Sequence, residues 1–213
     1  MTDPEKGPQL SVPAPDDAAL KRILAMTNNA PSPIYRPRDD SFLMIDAIGH
    51  IPLNGRSVLD MGTGSGILGL YCALHGAKVT ASDIDQAAID QVGRAAEALG
   101  VQIDLRLSDL FCDIPNRFEL ILFNPPYLPS VDVNDRSVDG GPAGTRLVDR
   151  FLEELPRHLD PKAEALLLLS SLNDPASVQL RHRNVEFSTV ATKSLFFEEL
   201  QVLRVRLRDD LMV

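Results

Sequence analysis

The chain predicts an α/β fold: a mostly parallel sheet with helices on both faces and an antiparallel hairpin at its C-terminal edge. Three observations carry this. Short apolar runs at 57–61, 78–82, 118–123 and 165–169 alternate with stretches whose apolar residues recur at helical spacing. A cluster of glycines sits where the first run gives way to the first of those stretches. Two further runs near the C-terminus, 185–191 and 200–207, read as a strand pair. Alternating strands and helices bury a parallel sheet from both sides.

Taken in order, residues 1–15 hold four prolines and few large apolar side chains, and read as a mobile tail. Asp16 or Asp17 is placed to cap a short helix carrying Leu20, Ile23 and Leu24. After a Pro-rich connector, residues 41–48 resume a helical pattern with Phe42, Leu43, Ile45 and Ile48. The first strand ends in Asp60, and Gly62, Gly64 and Gly66 lead into a helix that stops at Gly76. The second strand ends at Asp83, and a helix over 85–99 closes at Gly100. Residues 101–107 alternate as a third strand, and the fourth ends at Asn124. A long loop precedes a helix over 145–159, which Pro156 bends or ends. Arg204, Arg206 and Arg208 alternate, as on the solvent face of an edge strand.

At 213 residues the chain is one domain with a short extension. Its net charge of −9 disfavours a protein that coats nucleic acid or anionic membrane, because phosphate binding depends on Lys and Arg. Two cysteines, Cys72 and Cys112, make no disulfide framework, and a cytoplasmic setting is expected. Cys72 and His75 share a helical face but lack the further ligands a metal needs, so a packed cysteine and no metal site are expected.

In such sheets, ligands bind outside the carboxyl ends of the strands. Asp60, the glycine turn, Asp83, Asp109 and Asn124 all fall there and are expected to share one rim. The Gly-x-Gly-x-Gly spacing is not that of dinucleotide sites, and no Walker lysine follows it. Asp83, 23 residues after Asp60, suits ribose hydroxyls. Two carboxylates would repel a pyrophosphate but suit a cofactor with positive charge, such as S-adenosylmethionine. Asp109 is placed to accept from an adenine amino group. Beyond the fourth strand stands Asn124-Pro125-Pro126-Tyr127. The Asn124 amide oxygen and the Pro125 carbonyl are two acceptors held by a stiff turn, and Tyr127 offers a flat wall. That set suits a planar –NH2, a carboxamide or a base amine, whose lone pair must be aimed at a methyl donor.

The segment 58–66 resembles motif I of class I S-adenosylmethionine-dependent methyltransferases, and Asn124-Pro125-Pro126-Tyr127 resembles their signature for amino-nitrogen targets. Residues 34–42, from Ile34-Tyr35-Arg36-Pro37 to Asp40-Ser41-Phe42, resemble the segment that precedes the fold in HemK-like glutamine methyltransferases. So do 139–144 and Val148-Asp149-Arg150-Phe151 after the signature. With at most one helix before Tyr35, the chain looks like the short archaeal and eukaryotic branch of that family.

The resemblance implies a Rossmann-like methyltransferase domain over 51–213, with a helical segment over 16–50 covering the cofactor site. It implies methylation of the glutamine side-chain nitrogen in the Gly-Gly-Gln motif of a class 1 translation release factor. Asn124, Pro125 and Tyr127 would then be catalytic, with Pro126 also against the substrate. Tyr35, Ser41, Asp60, Gly62, Thr63, Gly64, Gly66, Asp83, Ile84, Asp109, Leu110 and Asn124 would line the S-adenosylmethionine pocket. A small zinc-binding activator that covers an apolar sheet edge is the implied partner.

Three alternatives stand beside this reading. A DNA or RNA adenine methyltransferase meets the same –NH2 geometry but needs a basic groove or a target-recognition insertion. A protein-lysine methyltransferase also fits the pocket logic. A non-catalytic cofactor-binding subunit would not need Asn124 or Tyr127. Asp132, Asp135 and Asp139 read as a solvated loop, and Gly140 and Gly141 as hinges of a substrate lid. Acid gathered near Tyr127 would steer a basic partner.

Overall fold

The computed structural model describes residues 18–27, 34–126 and 145–208. The elements are α1 (Ala18–Thr27), α2 (Asp39–Ile48), β1 (Ser57–Met61), α3 (Ile67–Leu74), β2 (Lys78–Asp83), α4 (Gln86–Leu99), β3 (Ile103–Leu107), β4 (Phe118–Phe123), α5 (Arg146–His158), β5 (Leu159–Ser170), α6 (Pro175–Arg181), β6 (Val185–Ser194) and β7 (Glu199–Leu207). They form a seven-stranded sheet in the order β3-β2-β1-β4-β5-β7-β6. The first five strands run parallel, while β7 is antiparallel to both β5 and β6. The order reverses between β1 and β4, which places a topological switch point between the glycine turn and Asn124.

The period-two alternation of a strand divides the core into two layers. Val58, Leu120, Leu122, Leu166, Leu168 and Val202 face one cluster, which is closed by α1, α2, α3 and α4. Leu59, Ile121, Phe123, Leu167, Leu203 and Val205 face the other, with Phe151 and Leu152 of α5 and Val178 of α6. Burial on both faces explains why β4 and β5 read as unbroken apolar runs. Leu20 and Ile23 of α1, and Leu43 to Ile48 of α2, belong to the first cluster, so the N-terminal helices share the core of the sheet.

The structure departs from the sequence expectations in four places. Helix α6 was not expected: it is seven residues long and buries only Val178, and Asp174 caps it with Oδ1 accepting from Ser177 N. Strand β5 starts at Leu159, ahead of the expected 165–169, because its first part pairs beside Phe118 through an irregular register. Pro156 lies in the last turn of α5, and the helix continues to His158. The arginine strand is not an edge. β7 lies between β5 and β6, and Arg204 and Arg206 reach the buried carboxylate of Glu164 at 3.0 and 2.7 Å. Cys72 is packed in the core, where burial pushes its thiol well above the ordinary range. His75 lies against the ring of Tyr71.

Candidate active site

The turn after β1 is built around Asp60. Its Oδ2 accepts from Thr63 Oγ1 at 2.6 Å and from the Gly69 backbone N–H at 2.9 Å. Gly69 is required by this approach, since a Cβ there would stand 2.9 Å from the same oxygen. Gly66 turns the chain into α3 with φ +85°, and a Cβ on it would lie 2.7 Å from Val92 Cγ2. Asp60 is 1% exposed, so it braces the loop from beneath rather than lining an open rim. Burial lifts its carboxyl to about 6, against the two hydrogen bonds that favour the charged form.

Asp83 at the end of β2 clamps the outer side of the loop. Its Oδ2 accepts from Gly64 N and its Oδ1 from Asp85 N, each at 2.9 Å. Partial burial raises its carboxyl above the usual range. Ile84 beside it is an exposed apolar side chain at the same end of the sheet. Asp109 is held differently from the sequence expectation: its Oδ2 accepts from Arg150 Nη2 of α5 at 3.0 Å. Leu110 adopts φ +50°, and its side chain is buried in the core.

The third part of the site comes from the segment before and within α2. Asp40 is 2% exposed and binds four donor groups. Its Oδ2 accepts from Tyr35 Oη at 2.8 Å and from Asn124 Nδ2 at 3.0 Å. Its Oδ1 accepts from Ser41 N at 2.7 Å and from Ser41 Oγ at 3.3 Å. The carboxylate accepts only, so Asn124 must present its NH2 to it and turn its carbonyl oxygen the other way. That oxygen, Asn124 Oδ1, is shut off from solvent and takes no hydrogen bond from the described residues. An unsatisfied buried acceptor costs about 1–3 kcal/mol, and a bound amide N–H would relieve it.

Tyr35 reaches over the glycine turn, with its Cβ 3.9 Å from where a Gly64 Cβ would be, and its ring carries Arg38 at 5.8 Å. Ser41 is buried and acts through Asp40. Pro125 is buried and Pro126 half-buried, directly after β4. Tyr127, the acidic loop and the Gly140-Gly141 pair lie outside the described residues, as does the expected acid around Tyr127. The structure thus brings Tyr35, Ser41, the glycine turn, Asp60, Asp83 and Asn124 to the carboxyl end of β1, β2 and β4. The residue given no role from sequence was Asp40. It stands just ahead of the helical pattern of 41–48, between Asp39 and Ser41, within the segment 34–42 that carried the family resemblance.

A family model of the methyltransferase small domain matches residues 41–196. The chain belongs to the methyltransferase small-domain family. It is 32% identical over 179 residues to a chain of Methanocaldococcus jannaschii assigned as a protein N5-glutamine methyltransferase, covering 80% of this chain and 90% of that one. The E. cuniculi Mtq2–Trm112 complex, described as methylating the translation termination factor eRF1, has the same fold: TM-score 0.68 at 24% identity, over 82% of this chain and 99% of that one. A 16S rRNA N2 G1207 methyltransferase of T. thermophilus, solved with AdoMet and guanosine, has TM-score 0.63 at 23% identity, over 81% of this chain and 44% of that one. The protein is a class I methyltransferase by family and fold, and S-adenosylmethionine is the cofactor bound in the T. thermophilus neighbour.

The residues fit that cofactor. Gly62, Gly64 and Gly66 all take left-handed φ and leave room for a ligand to approach the backbone of the turn beneath Tyr35, and the partly exposed Asp83 carboxylate at its flank suits a cationic group.

Proposed function

We propose that this methyltransferase acts on the side-chain amide nitrogen of a glutamine, in the Gly-Gly-Gln motif of a class 1 translation release factor. The observation that carries the reading is Asn124 Oδ1, buried, without a donor among the described residues and locked in orientation by Asp40. A carboxamide NH2 matches it: one N–H bonds Asn124 Oδ1, and the Pro125 carbonyl is the second acceptor in the same turn.

Bound S-adenosylmethionine supplies an electrophilic methyl group. Asp83 and the Gly62–Gly66 turn would hold it, with Asp60 beneath. The chain's own residues aim the nucleophile. An amide nitrogen is poorly nucleophilic because its lone pair is delocalised into the carbonyl. Fixing both N–H bonds on rigid acceptors directs the lone pair and favours the positive charge that develops on nitrogen. Asn124 and Pro125 then hold the two protons until one leaves to water, so no strong base is required beforehand. Asp40 keeps the acceptor face of Asn124 toward the substrate throughout.

An activator protein is part of the proposal. β3 pairs only with β2 among the described residues. Leu107 is half exposed on it, and an open groove of about 1110 Å3 runs beside it past Gly93, Ala96, Ile103 and Leu105. This edge is where a small zinc-binding partner would sit.

The test is incubation of the protein, with its activator, with labelled S-adenosylmethionine and a purified class 1 release factor. One methyl group on the motif glutamine by mass spectrometry is expected. No label on that glutamine, with label instead on lysine or on adenine in nucleic acid, refutes the reading.

A further inference from the structure

The turn between β6 and β7 carries two phenylalanines that the core of the described residues leaves uncovered. Phe196 is 91% exposed and Phe197 86%, and their rings meet edge to face at 4.6 Å. Leu172, in the short turn after β5, is 49% exposed and belongs to the same end of the sheet. Exposed aromatic residues in one patch mark an interaction surface more often than scattered single ones do.

The turn is pinned at several points. Leu195 N bonds Glu198 O across the tip at 2.8 Å. Ser170 Oγ at the end of β5 donates to Glu198, and Glu199 N donates to Ser171 Oγ at 3.1 Å. Lys193 Nζ reaches Asp39 Oδ1 at 2.7 Å, at the start of α2. The neighbour of Asp39 is Asp40, which holds Asn124. The tip is therefore tied to the element that orients the substrate acceptor.

The register fixes which end of the sheet this is. β5 runs parallel to β4, and its last residue, Ser170, pairs with Leu200 at the start of β7. Ser194 pairs with Glu199. The hairpin tip thus lies at the same end as Asn124. β7 is two strands from β4 and β6 three, or about 10–14 Å across the sheet at the usual strand spacing. A free amide or a single base at Asn124 would not span that distance, whereas a folded polypeptide with an inserted loop would. Glu198 and Glu199 adjoin the patch, and Lys193 is paired with Asp39, so the balance of charge around it is acidic and disfavours a phosphate backbone.

We propose that Phe196, Phe197 and Leu172 form the docking patch for the protein that carries the methylated glutamine. Its occupant is an apolar cluster flanked by basic residues on that protein's folded surface. The inference deepens the function proposed above and rests on it. The patch lies toward the β6 edge of the sheet, opposite the β3 edge assigned to the activator.

The experiment compares wild type with Phe196→Ser/Phe197→Ser, each with activator, in steady-state methylation of an intact class 1 release factor. The expected result is a rise in KM for the release factor of roughly tenfold, the scale of a lost interface anchor, with kcat within about twofold. Melting temperature and S-adenosylmethionine affinity should not change, and Phe196→Leu/Phe197→Leu should recover most of the loss. A KM within twofold of wild type, when wild type methylates the glutamine, overturns the docking patch alone. Absence of methylation by wild type overturns the proposed function and the patch with it. A wild-type dimer in light scattering that the serine variant splits, or loss of activator binding by that variant, reassigns the patch and overturns the proposal.

Discussion

The substitution Asp40→Asn separates orientation from mere packing. In wild type, Asp40 Oδ1 faces the Ser41 N–H and Oδ2 faces Asn124 Nδ2. The Ser41 N–H is a backbone donor and cannot turn, so the single oxygen of an asparagine at position 40 must stay with it. The new NH2 then meets the NH2 of Asn124, donor against donor. Asn124 relieves this by turning its amide over, which offers its NH2 where the substrate needs an acceptor. The loss is one hydrogen bond at the reacting nitrogen, about 1.5–3 kcal/mol for a bond next to a developing charge. At about 1.4 kcal/mol per decade, this is roughly a 10- to 140-fold fall in methyl transfer. The fold should survive, because Tyr35 Oη can accept from the new NH2, and the melting temperature should drop by about 2–4 °C. Single-turnover methylation at saturating S-adenosylmethionine isolates the step, and calorimetry reports cofactor affinity. A rate within threefold of wild type would show that Asp40 does not set the orientation of Asn124.

Asp60→Asn keeps both loop hydrogen bonds, since Thr63 and Gly69 use one oxygen. Because burial raises the Asp60 carboxyl from 3.8 to about 6, its stabilising effect is full below pH ~4 and lost as pH rises through about 6. The shift corresponds to about 3 kcal/mol, and denaturant titrations of the variant should lack that slope and show equal or greater stability at pH 7. Gly66→Ala, with a left-handed φ and a Cβ 2.7 Å from Val92, should lower the melting temperature by roughly 5–10 °C, and adding Val92→Ala should recover the steric part only. Glu164→Ala removes the shared partner of Arg204 and Arg206, which are one-third and one-half exposed, and should cost about 1–2 kcal/mol in urea unfolding, with Glu164→Gln costing less.

The cofactor half of the molecule was legible because its signals are local. β1, the glycine turn, β2 and Asp83 each announce themselves within a few residues; the expected 57–61 strand matches β1, and α3 starts directly after the glycine turn. What was not legible depends on who sits beside whom. The arginine alternation of 204–208 is the same whether the strand is an edge or an interior one. Only the pairing of β7 with β5 brings Arg204 and Arg206 onto Glu164. Helix α6 escaped because seven residues with one buried side chain carry too little periodicity. Asp109 was read as a free acceptor because Arg150 is 41 positions away in sequence. Asp40 lies 84 positions from Asn124, and no spacing rule joins them.

These long-range pairings change what the net charge of −9 means. A sum over acids treats each carboxylate as a source of field at the surface. Asp40 and Asp60 are both almost fully buried, and each is surrounded by donors that the fold itself supplies. Asp109 is half exposed but carries Arg150 as its counter-charge. Among Asp40, Asp60, Asp83 and Asp109, Asp83 is the one that is both partly exposed and without a cationic partner among the described residues. Attraction of a positively charged ligand therefore concentrates at one position above the glycine turn. The buried acids serve geometry: Asp60 fixes the loop, and Asp40 fixes the amide. A methyltransferase acting on so weak a nucleophile as a carboxamide gains more from this than from field strength. Its barrier is lowered by holding two N–H bonds on acceptors that do not move, and a buried carboxylate behind the acceptor is what keeps it from turning.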